Sequence, residues 1–162
     1  MDNFMFNITQ FRQDIVVPVL SQLNLYSKVA EELMVFTCAV ESDGGSYVRQ
    51  VKGPALGIYQ CEPSTHNDLW RNYIINRNNY ISILALNFGV NIIPDESKLV
   101  TDLRYATAVC RLHYARVKEA LPQSEEDIDK IWEYYKKYYN TELGKSTKTK
   151  SIAAYKKFLQ NT

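Results

Sequence analysis

Apolar residues recur at helical spacing along most of this chain, and the breaks between them fall at glycine, proline and short polar clusters. Val16, Leu20 and Leu23 predict a short first helix with Pro18 near its start, where proline is tolerated. Ser27 is placed to cap a second helix, although Ser27-Lys28-Val29-Ala30-Glu31 lies one residue out of register for a capping box. Val29, Leu33, Phe36 and Val40 then form an apolar stripe that stops at Glu41-Ser42-Asp43-Gly44-Gly45, where two glycines are expected to end the helix. Tyr47, Val48 and Val51, punctuated by Gly53-Pro54 and Gly57, predict an irregular loop or small hairpin.

Helices resume after Pro63, with Thr65 expected to cap a segment over Asn67–Asn78 and a further apolar segment over Tyr80–Val90. Leu99, Leu103, Ala106, Cys110, His113 and Val117 give the clearest helical repeat. Ser124-Glu125-Glu126-Asp127 reads as an acidic N-terminal cap for a helix carrying Ile128, Trp132, Tyr135 and Tyr139 on one face, with Gly144 as its stop. A last, basic helix is expected over Lys145–Leu159. The expected fold class is mainly α, with at most a minimal hairpin as its β component. It forms one domain over residues 1–162, with an extra N-terminal helix in 1–26 and a basic C-terminal helix in 145–162.

Composition narrows the function. A net charge of +1 excludes a globally basic nucleic-acid binder, and 46% hydrophobic with 23% charged residues excludes wholesale disorder. Cys38, Cys61 and Cys110 are an odd, sparse set without CxxC spacing, so neither a disulfide framework nor a zinc site is expected. The first residues lack a basic segment before an apolar stretch, so a signal peptide is not expected. The longest uncharged run, residues 78–94, carries four asparagines and is too short and too polar to span a membrane. No P-loop, Rossmann glycine pattern or nucleophile elbow is present, and His66 and His113 lack ligand partners at helical spacing. No cofactor or metal is expected, and both histidines read as structural.

One feature carries chemistry. Glu41 closes a buried helix and is followed by the glycine-punctuated run Gly53 to Thr65, long enough to fold back over a carboxylate. The negative end of a helix and apolar neighbours both disfavour the charged form, so Glu41 is expected to hold its proton toward neutrality. A carboxylic acid protonated near pH 7 suits protonation of a glycosidic oxygen.

Glu41-Ser42, then Gly57-Ile58-Tyr59-Gln60 with Pro63 and Thr65, then Tyr139-Asn140 with Gly144, resemble the three signature blocks of the soluble lytic transglycosylase and goose-type lysozyme superfamily. The resemblance covers about residues 29–145, and Lys136-Lys137-Tyr138-Tyr139-Asn140-Thr141 is similar to its phage-encoded members. It implies an α-rich, lysozyme-like fold whose cleft binds the glycan strands of peptidoglycan. It also implies Glu41 as general acid and base, with Ser42, Tyr59, Gln60, Tyr139 and Asn140 at the substrate. The sequence departs from that pattern in two places. At the second block, Gly53-Pro54-Ala55 replaces the usual Gly-Ala and Tyr59 stands where methionine is common, and Tyr134-Tyr135-Lys136-Lys137-Tyr138 replaces the usual alanine-rich context of the Tyr-Asn block.

Within that resemblance, a lytic transglycosylase acting on the bond between N-acetylmuramic acid and N-acetylglucosamine is favoured, because it needs one glutamate. A hydrolytic muramidase needs a second carboxylate. Glu62 and Asp68 are the candidates, whereas Asp43 would face away from Glu41. A catalytically inactive wall-binding or virion structural protein is the alternative outside enzymology. The resemblance further implies synthesis in a host cytoplasm, action on the wall after release or from a virion, and other virion proteins as partners. Membrane insertion is not expected.

Overall fold

The computed structural model describes residues 4–140 and 145–162, and helices dominate it, with two isolated β-bridges as its β structure among those residues. The first helix, α1, runs through three consecutive stretches: Ile8–Gln10, a π-helical Phe11–Val16, and Val17–Gln22. It begins well before Pro18, which corrects the expectation of a short helix opening beside that proline. The Val17 N–H reaches back five residues to the Arg12 carbonyl. This wider turn admits the pyrrolidine ring, which has no N–H to give and would crowd a regular α-turn.

Helix α2, Lys28–Ser42, is capped as expected: the Ser27 hydroxyl accepts the Ala30 N–H at 3.0 Å. Its burial extends well beyond one stripe. Leu33, Met34, Val35, Phe36, Thr37 and Cys38 are all fully covered, so α2 is a central helix. It ends with Asp43 in the left-handed conformation (φ 50°), one residue before the glycine expected there. A short polar side chain tolerates that region.

The segment after α2 is the irregular hairpin its composition predicts. Leu56 bridges both Arg49 and Cys61, and Gly57 takes φ 79°. A Cβ at Gly57 would lie 2.4 Å from the Leu99 carbonyl oxygen, so the loop presses on the next layer where no side chain fits. Helix α3, Pro63–Asn72, starts at Pro63 with Glu62 at the cap position, and Thr65 lies inside it. Proline's fixed φ suits the first helical position, which overrides the expected Thr65 cap. A 3₁₀ turn, Ile74–Asn76, separates α3 from α4, Asn78–Phe88.

The Leu99–Val117 repeat forms two helices, α5 (Lys98–Thr101) and α6 (Leu103–Ala115). Asp102 breaks the path with an extended backbone and caps α6, its carboxylate accepting the Tyr105 N–H at 2.9 Å while pairing with Lys98 at 3.0 Å. Helix α7, Ile128–Tyr135, is capped by Asp127 and continues as a π-helical turn, Lys136–Asn140. Gly144, the expected stop, lies outside the described residues. Helix α8, Lys148–Leu159, starts three residues later than expected, at its Thr147 cap.

One continuous hydrophobic cluster joins these elements. Helices α1, α6, α7 and α8 pack around α2, and the Thr37 and Tyr114 hydroxyls bond at 2.8 Å between the two central helices. The last turn of α2 is thereby fixed at the edge of the core, with Glu41 on it. No helix among the described residues is long and apolar enough to cross a membrane.

Candidate active site

Glu41 is half-buried at the C-terminal end of α2, and three elements converge on it. From α7, the Tyr135 hydroxyl donates to Glu41 Oε2. From the π-helical turn, the Asn140 side chain lies beside the same carboxyl and favours its charged form, while its Oδ1 accepts from Lys136 Nζ at 2.8 Å. From the hairpin, the Tyr47 hydroxyl donates to the Glu41 backbone carbonyl at 2.9 Å and closes the open end of the helix. Burial pushes the Glu41 carboxyl up to about 7, against the hydrogen bonds from Tyr135 and Asn140 and the charge of Lys136. Desolvation outweighs the three, so near neutral pH Glu41 can give and retake a proton, as its position in the sequence suggests.

The carboxyl opens onto a groove. One arm, of about 650 Å³, is walled by the hairpin and α3, with Tyr47, Gln50, Gln60, Glu62 and Thr65 on one side and His113 and Tyr139 on the other. A second arm, of about 390 Å³, runs toward α8 past Tyr135, Ser146, Lys150 and Ser151. Glu41, Asn140 and Lys145 line both arms, which puts the acid at their junction.

The sequence-predicted residues divide. Glu41, Gln60, Tyr139 and Asn140 meet at the groove, and Glu62 lies exposed on its wall. Gln60 adopts φ 50°, its side-chain amide donating to the Gly57 carbonyl at 2.8 Å. Tyr139 is packed against Tyr114 and His113, with ring centroids at 5.3 and 4.8 Å.

Two expected binding residues are structural. Tyr59 is 1% exposed and its hydroxyl bonds Thr107 at 2.8 Å inside the core, so it has no face to offer a sugar. Ser42 is fully buried, bonding the Cys38 carbonyl at 3.2 Å and accepting the Gly45 N–H at 3.0 Å to fold the turn after α2. Asp68 does not line the groove. The hydrogen bond from the Asn72 amide, followed by the pairing with Arg116 at 2.9 Å, holds its carboxyl below the usual range. Asp43 pairs with Lys157 at 3.4 Å.

Neighbouring groups limit the chemistry further. Burial pushes the Cys61 thiol, on the groove wall, up to about 12, so it carries no thiolate at neutral pH. His113 is held down at about 4 by burial and is neutral near pH 7. Its Nε2 faces the Tyr138 carbonyl at 3.2 Å, which can only accept, so Nε2 bears the proton. His66 is buried in a network with Tyr105 and Trp70, away from the groove. Among the described residues no His, Cys, Asp and Glu cluster is arranged to hold a metal ion. A separate depression of about 540 Å³ lies between the 119–124 segment and α7. Four of its charges pair among themselves, Lys130 with Glu133 at 3.3 Å and Lys137 with Glu119 at 3.8 Å, and Asp127 is occupied as the α7 cap.

Tyr135, Tyr47, Gln50 and Lys145 belong to the site although no motif marks them. Tyr135 is visible in the sequence only as one member of an aromatic stripe. The packing of α7 on α2 brings the Tyr135 hydroxyl to the acid. Comparisons with protein-family models, curated proteins and solved structures found no match.

Proposed function

We propose that this chain is a peptidoglycan lytic transglycosylase that cleaves the β-1,4 bond between N-acetylmuramic acid and N-acetylglucosamine. The observation that carries the reading is a single carboxyl, raised to about 7, at the junction of two groove arms. Protonated Glu41 gives its proton to the glycosidic oxygen as the bond to the muramic C1 breaks. The substrate's own N-acetyl group stabilises the cationic carbon. The resulting carboxylate then takes the proton of the muramic C6 hydroxyl as that oxygen attacks C1, which returns Glu41 to its acid form and closes an anhydro ring. Tyr135 and Asn140 hold the carboxyl in place through both transfers, their hydrogen bonds strengthening when it is charged. The order of the Glu41, Gln60 and Tyr139-Asn140 blocks supports the same reading. The protein would meet the wall after release from a host cell or as part of a virion.

A hydrolytic muramidase is the second reading, favoured by Glu62 on the wall of the same groove, where it could hold a water. Digestion of purified sacculi with product masses recorded separates the two, because anhydro products are lighter by one water. General acid catalysis is worth roughly 10²–10⁴-fold, so Glu41→Gln is expected to lose at least a hundredfold in fragment release. Wild-type turnover by that variant removes Glu41 from its role. Retention on sacculi with no fragments from the wild-type protein makes the chain a wall-binding or virion structural component.

A further inference from the structure

The two arms of the groove differ in charge. Among the described residues, the charged side chains flanking the α8 arm besides Glu41 are Lys145 and Lys150, whereas the hairpin arm adds Glu62 to the shared Lys145. Lys148 and Lys157, on the same helix as Lys150, are paired with Asp129 at 3.1 Å and Asp43 at 3.4 Å. Among the described residues Lys145 and Lys150 have no ion-pair partner, and Lys156, also unpaired, lies outside the arm.

The first turn of α8 makes this costly. It carries no acid and places Lys148 and Lys150 at the positive end of the helix, where acids are favoured and lysines repelled. Lys148 is relieved by Asp129, but Lys150 keeps its charge over the arm. A local rule broken at the wall of a groove, with no compensating ion pair among the described residues, points to a ligand outside the fold.

From this we infer that the α8 arm is a carboxylate subsite: Lys145 and Lys150 bind an anionic group carried by the glycan strand and so fix which way the strand lies across Glu41. The inference rests on the glycan-cleaving reading. The carboxylate could belong to the lactyl group of a stem-free muramic acid or to the peptide stem attached there, and either meets the same two ammonium groups. A neutral polymer of N-acetylglucosamine lacks both and has no preferred direction set by charge.

The test is calorimetric binding with the Glu41→Gln protein, which holds strands without cutting them. The probes are stem-free peptidoglycan strands, stem-bearing strands and chitin oligomers of matched length. Adding Lys145→Gln and Lys150→Gln together is expected to weaken binding of the acidic strands about tenfold, equivalent to ~1.4 kcal/mol for two partly exposed charge contacts. Chitin binding is expected to weaken less than that of the acidic strands, and the difference between the polymers shrinks from 50 to 300 mM salt as screening rises. Loss on the stem-free strands assigns the lactyl carboxylate, and loss confined to stem-bearing strands assigns the peptide. Lys145→Arg with Lys150→Arg is expected to keep the preference, which separates charge from any damage to folding. Equal loss on all three polymers, or no loss on any, overturns the subsite while leaving the cleavage reading intact. Absence of binding to every polymer by the Glu41→Gln protein overturns both.

Discussion

Replacing Glu41 by glutamine should stabilise the protein above neutral pH, irrespective of what the groove binds. The carboxyl titrates at 4.5 when solvated and at about 7 in the folded chain. Between those values the folded state keeps a proton that the unfolded state has released. Folding stability therefore falls as pH rises through the window from about 4.5 to about 7, and above it the full penalty of a buried charge remains. At 1.36 kcal/mol per pH unit, and allowing for screening through the open groove, the penalty is ~2–3 kcal/mol at pH 8. Glutamine has the same shape, cannot ionise, and offers Tyr135 an amide oxygen to donate to. Urea unfolding of both proteins from pH 4.5 to 8.5 isolates the effect, because His113 and all other titrating groups are common to the two. The variant is expected to match the wild type at pH 4.5 and to exceed it by ~2–3 kcal/mol at pH 8, roughly 4–12 °C in Tm for a chain of this size. Parallel pH dependences would refute the desolvation argument, and with it the reason for treating Glu41 as an acid.

Tyr135→Phe keeps the ring packed edge-on against Phe36 at 5.4 Å but deletes the donor to Glu41, so the Glu41 titration is expected to move up by about one unit in a carbon-detected NMR titration. A midpoint that stays put or falls would remove Tyr135 from the site. Gly57→Ala places a Cβ against the Leu99 carbonyl at a positive φ, and a loss of ~2–4 kcal/mol is expected in urea unfolding. Tyr59→Phe deletes the buried bond to Thr107 and is expected to cost ~1 kcal/mol of stability with KM for sacculi unchanged. A raised KM would return Tyr59 to the substrate.

Much of the helical architecture is written in local chemistry. Ser27, Asp127 and Thr147 each accept the backbone N–H three residues on, and such caps depend on the capping residue type and its neighbours alone. The apolar run of α2 was equally plain, yet its stripe understated the burial. A central helix is covered on every side by elements remote in sequence, and α8 completes that cover only after more than a hundred intervening residues. The misplaced boundaries share one cause. Pro18, Pro63 and Asp102 each admit two local readings, and the one realised is set by backbone geometry at the residue: a π-turn before Pro18, the first helical position at Pro63 and an extended cap at Asp102.

At the groove the division is sharper. The order of residues already implies that an acid ends a buried helix, that a glycine-led loop follows it, and that Gln60, Tyr139 and Asn140 stand in an order suited to meeting it. Residue type and spacing establish this, because both act over a turn or two of chain. Long-range packing settles that Tyr59 turns into the core, that Tyr135 supplies the donor, and that Lys150 borders one arm while Lys145 borders both. Which face of a loop is wet, and how far a carboxyl is stripped of water, are set by atoms far away along the chain, and no local pattern encodes them.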